Sequence, residues 1–187
     1  MGMPDTARRY TVDQVLAFPD DGNRYELVDG ELLVTPAPAS QHQAMVTEFA
    51  VSIGHYLKSR PGMARLLIAP ADITWEGEQL VQPDLFVVPA AEVTSSWTSI
   101  RTLLLAVEVV SPSSARGDRL TKRRLYQRQG VAIYWIVDPD ARLVEVWHPE
   151  DRGPEIVTDV LKWRVTPDAE ALVINLGEIF ERLPDAT

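Results

Sequence analysis

Two carboxylates and one lysine stand where chemistry would use them. Glu108 lies in the run Leu103-Leu104-Leu105-Ala106-Val107-Glu108-Val109-Val110. Its neighbours two residues away are Ala106 and Val110, and the opposite strand face carries Val107 and Val109, so neither face is polar. An unpaired carboxylate there is costly or takes up a proton, so something must compensate it: a lysine or arginine in a structural ion pair, or a metal ion. Asp84 follows Pro83 in Val81-Gln82-Pro83-Asp84-Leu85-Phe86-Val87-Val88, where a strand starts or bends because proline cannot donate to the ladder. Taken alone, Asp84 reads first as a strand-start aspartate facing water. Lys122 is the third group. Asp118, Lys122 and Tyr126 are spaced i, i+4, i+8 and share one helical face, which Tyr126 and Leu125 tilt inward. The stretch between Glu108 and Ser111 rises roughly 10 Å as strand, and Ser114 to Lys122 rises roughly 12 Å as helix. A helix folding back over that strand therefore brings Lys122 level with Glu108 and within reach of it.

The chain has no cysteine and only three histidines, His42, His55 and His148, none of them i, i+4 from another. That pattern does not suit zinc. A metal site here must use hard oxygen ligands, which favours magnesium, manganese or calcium. With 27 acidic and 18 basic residues the net charge is −9, which argues against generic coating of nucleic acid. A local exception is the helix carrying Lys122, which also bears Arg116, Arg119, Arg123, Arg124 and Arg128. This density reads either as a strip that tracks phosphates or as a solvated face paired with the surplus acids. No aromatic residues interleave it to suggest base stacking.

The elements that must position these groups are legible in outline. A chain of 187 residues with 45% hydrophobic content predicts one globular domain with a real core. No apolar run is long enough to span a bilayer. The segment Met1–Tyr10 lacks an apolar stretch typical of a leader, so the expected compartment is the cytoplasm. Thr11 and Gln14 are spaced as a capping box for a short helix. Asp29-Gly30 between Arg24–Val28 and Glu31–Thr35 is a hairpin signal. Ser40 is the expected cap of a helix to about Lys58, with Met45, Phe49, Ile53 and Tyr56 on one face. Three β-like runs follow, Arg65–Trp75, Leu80–Val88 and Leu103–Val110, the last of which does not alternate and should be buried on both faces. A helix over Ala115–Gln129 should stop at Gly130. Ile133–Val137 and Arg142–Trp147 read as a hairpin, and Glu155–Phe180 adds a strand or two and a short helix. Both long helices are expected to cover a mixed sheet.

The ordered set Pro83-Asp84, Glu108-Val109-Val110-Ser111-Pro112-Ser113, Asp118 with Lys122 and Tyr126, and Tyr134-Trp135-Ile136-Val137-Asp138-Pro139 closely resembles the Uma-two family of restriction endonuclease-like proteins. Tyr25-Glu26-Leu27-Val28-Asp29-Gly30-Glu31-Leu32 and His42 match its N-terminal signature, and the resemblance runs from about Tyr10 to Phe180. The family lies within the PD-(D/E)XK nuclease superfamily. The resemblance implies an α/β fold with a mixed α+β sheet, in which a restriction-endonuclease-like core over about residues 40–148 follows an N-terminal hairpin extension, all in one domain over 1–187. It implies a metal-dependent endonuclease that hydrolyses nucleic-acid phosphodiesters, DNA being the expected polymer and a homodimer left open. Asp84, Glu108 and the Val109 carbonyl would hold Mg²⁺ or Mn²⁺, and Lys122 would orient water or bind the scissile phosphate. Glu31, His42 and Tyr126 are supporting candidates, and a hydrogen-bonded histidine under the hairpin is an equal reading of His42. Arg116, Arg119 and Arg123 are the candidate phosphate contacts. One departure stands out. The superfamily lysine two residues after the glutamate is Val110 here, and Lys122 is the residue placed to replace it, unless it serves only as the counter-ion of Glu108. Two rivals remain, a catalytically silent binding module on the same fold and a hydrolase of another phosphoester such as a nucleotide.

Overall fold

The run of residues around Glu108 determines where the sheet has its centre. The structure is a computed structural model that describes residues 9–183. The expectation that no leader is present falls on Met1–Tyr10, of which only Arg9 and Tyr10 are described.

In chain order, Thr11 caps α1 (Val12–Leu16), with the Gln14 amide donating to Thr11 Oγ1 and the Thr11 amide to Gln14 Oε1, as the capping box requires. β1 (Arg24–Val28) and β2 (Glu31–Thr35) pair across Asp29-Gly30, both in the left-handed region, at φ 53° and 80°. α2 (Ser40–Lys58) buries Met45, Phe49, Ile53 and Tyr56 as its periodicity predicts. Ser40 is not its cap. The extended cap position is Ala39, so the Ser40 hydroxyl is already inside the first turn and no side chain caps the helix.

The two long apolar runs do not form one strand each. Arg65–Trp75 divides into β3 (Ala64–Ile68) and β4 (Ile73–Trp75), and Leu80–Val88 divides into β5 (Gln79–Val81) and β6 (Leu85–Pro89). The breaks fall at Pro70 and Pro83, neither of which can donate to a ladder. Both runs cross between sheets at the same level: β3 pairs with β6 in one sheet and β4 with β5 in the other. The Ala69 amide donates to the Asp84 carbonyl at 3.1 Å and ties the two crossings together.

β7 (Leu105–Val109) is buried throughout. A turn at Ser111–Ser114 leads into a helix whose first part, Gly117–Lys122, is π-helical before it continues as α3 (Arg123–Arg128). The expected uniform α-helix is thus wider by one residue at the turn that carries Asp118 and Lys122, and the Arg123 amide bonds the Asp118 carbonyl. Gly130, at φ 67°, ends it. β8 (Tyr134–Asp138), β9 (Leu143–Trp147), β10 (Glu155–Val157), β11 (Val160–Trp163), β12 (Leu172–Asn175) and α4 (Leu176–Glu181) complete the described chain.

The six-stranded sheet has the order β10-β9-β8-β7-β6-β3, so β7 is interior, as its hydrophobicity demands. β7 and β8 are parallel and the other pairs antiparallel. A parallel pair needs a crossover, which the π-helix and α3 provide. On one face, α2, α4 and the β11-β12 hairpin pack on Leu85, Val87, Val107 and Trp135. On the other, α3 and the four-stranded sheet β2-β1-β5-β4 pack on Phe86, Ala106 and Ile136. Both helices cover the sheet, from opposite sides. Glu108 shares the parity of Ala106, so it projects into the second layer, among groups supplied by β1 and the π-helix.

Candidate active site

Asp84 and Glu108 are cross-strand neighbours. The β6–β7 register pairs Leu85 with Val107, so one step further sets Asp84 opposite Glu108. Asp84 Oδ2 accepts the Val109 amide at 2.8 Å, which fixes the carboxylate against β7. Its Oδ1 accepts from Arg24 Nη1 at 2.7 Å and stands 3.4 Å from His42 Nε2. Glu108 is fully buried. Its Oε1 accepts from Lys122 Nζ at 2.8 Å and from the Tyr126 hydroxyl at 3.1 Å, whereas its buried Oε2 has no partner among the described residues.

Lys122 holds more than Glu108. Its ammonium is 2.9 Å from Glu26 Oε2 and 3.2 Å from Asp118 Oδ1. Three carboxylates thus surround the ammonium, one of them, Glu108, through a hydrogen bond. Glu26 in turn accepts the Gln82 amide through Oε1 at 2.7 Å. Glu26, Asp84, Glu108 and Asp118 therefore form one buried acidic group with Arg24 and Lys122 as its permanent cations. Fully ionised, it carries two negative charges more than positive.

That surplus appears in the acidities. Burial opposes the charged form of Asp84, but the His42 hydrogen bond and the charge of Arg24 outweigh it and hold the carboxyl well below the usual range. Glu108 goes the other way: burial, with Asp84 and Asp118 adding repulsion, pushes its carboxyl well above the usual range despite Lys122. Burial likewise raises Asp118. Burial disfavours the Lys122 ammonium, but Glu108, Glu26 and Asp118 overcome this and raise it. Lysine and glutamate at a 2.8 Å contact thus both tend to hold a proton. The direction set by burial at Glu108 governs, because the cluster has acids in excess and one oxygen of Glu108 is unsolvated.

A cleft of about 480 Å³ opens over one end of this group, between the Pro36–Ala39 link and the Ser111–Ser114 turn. Arg24, His42 and Asp84 line it, while Glu108 and Lys122 lie behind them. Among the described residues no three His, Cys, Asp or Glu side chains converge as a preformed metal cage.

The structure thus brings together Asp84, Glu108, Lys122, Tyr126 and His42, with the Val109 backbone bonded to Asp84. Glu31 does not join them. It is exposed on β2 opposite Val28, and the acid that the hairpin supplies is Glu26. Glu26 and Arg24 escaped notice because they alternate with Tyr25 and Leu27 as a solvent-facing strand edge would; the four-stranded sheet folding onto the larger one buries that edge. The arginine strip is also divided. Arg119 bonds Glu145 and Asp138, both at 2.6 Å, and Arg123 lies over the Trp147 ring and donates to the Arg119 carbonyl and Gln127. These two serve the crossover's packing, whereas Arg116 and Arg124 are exposed.

The family model Uma2, described as "Putative restriction endonuclease", matches residues 12–176. Among solved structures the chain is similar to the crystal structure of a "putative nuclease belonging to DUF820" from Anabaena variabilis. The two are 19% identical, the match covers 92% of this chain and 98% of the other, and the TM-score is 0.75. No curated protein sequence matches the chain.

Proposed function

This chain belongs to the Uma2 family, and from that premise we propose that it is a divalent-cation-dependent endonuclease acting on DNA phosphodiesters. The observation that carries the reading is the cross-strand pair Asp84 and Glu108 beneath an open cleft, with Glu108 Oε2 buried and unpartnered. That orphan acceptor, the hard oxygen donors and the surplus of two negative charges fit Mg²⁺ or Mn²⁺. Asp84 and Glu108 would hold the ion, with the Val109 carbonyl as a third donor. Such ions retain several waters, so two carboxylates without a preformed cage suffice. When bound, the ion supplies charge neutralisation at the phosphate and acidifies a water molecule.

The protein groups do the rest. Hydrolysis joins the water oxygen to phosphorus and breaks one bond from phosphorus to a sugar oxygen; the water gives up a proton and the leaving oxygen gains one. His42 lines the cleft beside Asp84 and is placed to accept or pass on that proton. Lys122 and Tyr126 hold Glu108 Oε1, which leaves Oε2 as its free face. Lys122 is therefore a positioning residue in this reading, because it is buried behind the cleft wall and enclosed by three carboxylates.

The test is cleavage of DNA, RNA and nucleotides side by side, with Mg²⁺, with Mn²⁺ and with EDTA. Asp84→Asn and Glu108→Gln should abolish cleavage while the protein stays folded. Activity that survives EDTA, or that survives either substitution, would remove the reading. A catalytically silent binding module is the second reading, favoured by the Arg24 guanidinium already seated on Asp84. A wild-type protein that binds DNA but takes up no Mg²⁺ would select it.

A further inference from the structure

Arg24 is under-bonded for a guanidinium in such a place. It stands at the first position of β1 and lines the cleft, with its side chain 16% exposed. Its hydrogen bonds run from Nη1 alone, to Asp84 Oδ1 at 2.7 Å and to the Gln82 carbonyl at 3.0 Å. Nε is buried with no hydrogen-bond partner among the described residues, and the nearest acid oxygen, Glu26 Oε2, is 3.6 Å away. A guanidinium carries five N–H donors in a rigid fork, and a buried one is normally satisfied by a planar, two-pronged partner. Here it meets one oxygen of Asp84 end-on. That same Oδ1 also stands 3.4 Å from His42 Nε2, while Oδ2 is taken by the Val109 amide.

We propose that Arg24 is a built-in stand-in for the divalent ion at Asp84, and that ion binding turns its guanidinium to the phosphodiester in the cleft. The proposal rests on the reading of the site as a divalent-ion nuclease centre. Without an ion, the acidic group needs every positive charge it has, and Arg24 takes the end of Asp84 that an ion would occupy. A divalent ion brings twice the charge and can also reach the unpartnered oxygen of Glu108, so it displaces the guanidinium by competition and by repulsion. Arg24 is then an under-bonded cation on the wall of a cleft, with a fork matched to two phosphate oxygens. The arrangement gives Asp84 a cation in both states and presents the phosphate-binding group only when the ion is in place.

Two measurements test this, each with a readout other than cleavage. In the first, Mn²⁺ is titrated calorimetrically into wild type, Arg24→Met and Arg24→Lys. Removing the competing charge should tighten Mn²⁺ binding roughly tenfold in Arg24→Met, while Arg24→Lys, which keeps the charge, stays near wild type. A counter-ion with a purely structural role predicts the opposite, because its loss loosens the site. The second uses the wild-type protein and so does not depend on a variant folding: phenylglyoxal labelling of Arg24, mapped by mass spectrometry. Labelling should rise several-fold on adding Mn²⁺ and fall again when a DNA duplex is added with Ca²⁺ in place of Mn²⁺. Wild type that binds Mn²⁺ while Arg24→Met binds it no tighter, or while Arg24 labelling fails to rise, overturns the stand-in and leaves the nuclease reading intact. Wild type that takes up no Mn²⁺ overturns both.

Discussion

Lys122 is clamped by Glu26, Glu108 and Asp118, and that clamp makes a pH-dependent prediction. Glu108 and Asp118 have raised folded-state values, so ionising them costs stability, and the cost grows as pH rises above the ordinary carboxylate range. Lys122 has a raised value, so its stabilisation is complete below the usual lysine value and is lost only in strong alkali. Removing the ammonium leaves three buried carboxylates with less to hold them ionised. Lys122→Met should thus lower stability by about 3–5 kcal/mol near pH 8, the scale for breaking a buried ion pair. The deficit should shrink towards pH 5 as Glu108 and Asp118 take up protons. Asp84 contributes in the opposite sense in both proteins: its lowered value gives stability above the ordinary carboxylate range that is lost only in strong acid. Thermal melts across pH check this. A Lys122→Met protein with wild-type Tm at pH 8 would show that the lysine is not the counter-ion, and a deficit that widens on acidification would contradict the assigned directions.

At the scale of elements, the π-turn over Gly117–Lys122 carries two charged groups of the buried cluster on its inner face. A π-turn holds one residue more than the α-turn it replaces, and such turns recur at functional sites. Here Asp118 and Lys122 both face β1 and β7, as an i, i+4 pair does on an α-helix too, while Leu120 between them stays 46% exposed. Deleting Leu120 should let the segment relax into a regular α-helix, because no buried side chain is lost. Asp118 and Lys122 then stand three apart, which still sets them on one helical face, so both keep their reach to the cluster. The expected result is unchanged helical circular dichroism and a Tm close to that of wild type. A deletion variant that melts several degrees lower would mean that the wider turn itself positions the clamp. The breaks at Pro70 and Pro83 matter equally, since each run crosses between sheets there and Asp84 sits at the second crossing.

Over the whole molecule, the charge of −9 sets the terms on which a polyanion can bind. Binding must come from local cations that the fold leaves unspent, and the structure narrows these. Arg119 and Arg123 are engaged by Asp138, Glu145, Trp147 and Gln127, so substituting them tests stability more than binding. Arg116 and Arg124 are exposed on the same helix. If they contact phosphates, Arg116→Ala with Arg124→Ala should weaken DNA binding for all sequences alike. It should also flatten the slope of log affinity against log salt by about 1.8, the value for two lost contacts. Arg119→Ala should lower Tm with little change in that slope. A double variant that binds like wild type at every salt concentration would show Arg116 and Arg124 to be a solvated face.

The sequence by itself determined much of this. The unbroken apolar run around Glu108 required an interior strand, and β7 is one. The rise of strand and helix put Lys122 within reach of Glu108 if the helix folded back over the strand, and the two meet at 2.8 Å. The Asp29-Gly30 turn, the apolar face of α2 and the Gly130 stop follow from local backbone and periodicity rules that act within a few residues, so they are legible without a fold. Only the tertiary structure decided the rest of the site. Glu26 and Arg24 are in sequence an ordinary alternating strand, and Glu26 becomes buried and Arg24 mostly covered because the small sheet closes over the large one. Glu31 is the more conspicuous acid beside the turn, but in the β1–β2 register it stands opposite Val28 at the exposed end of the hairpin. The pairing of Arg119 with Glu145 and Asp138 depends on where β8 and β9 lie beside the crossover helix. The division has one physical cause. Burial of a residue along its own strand or helix is written in its neighbours, whereas the partner of a buried charge comes from an element distant in sequence and is fixed only when the layers pack.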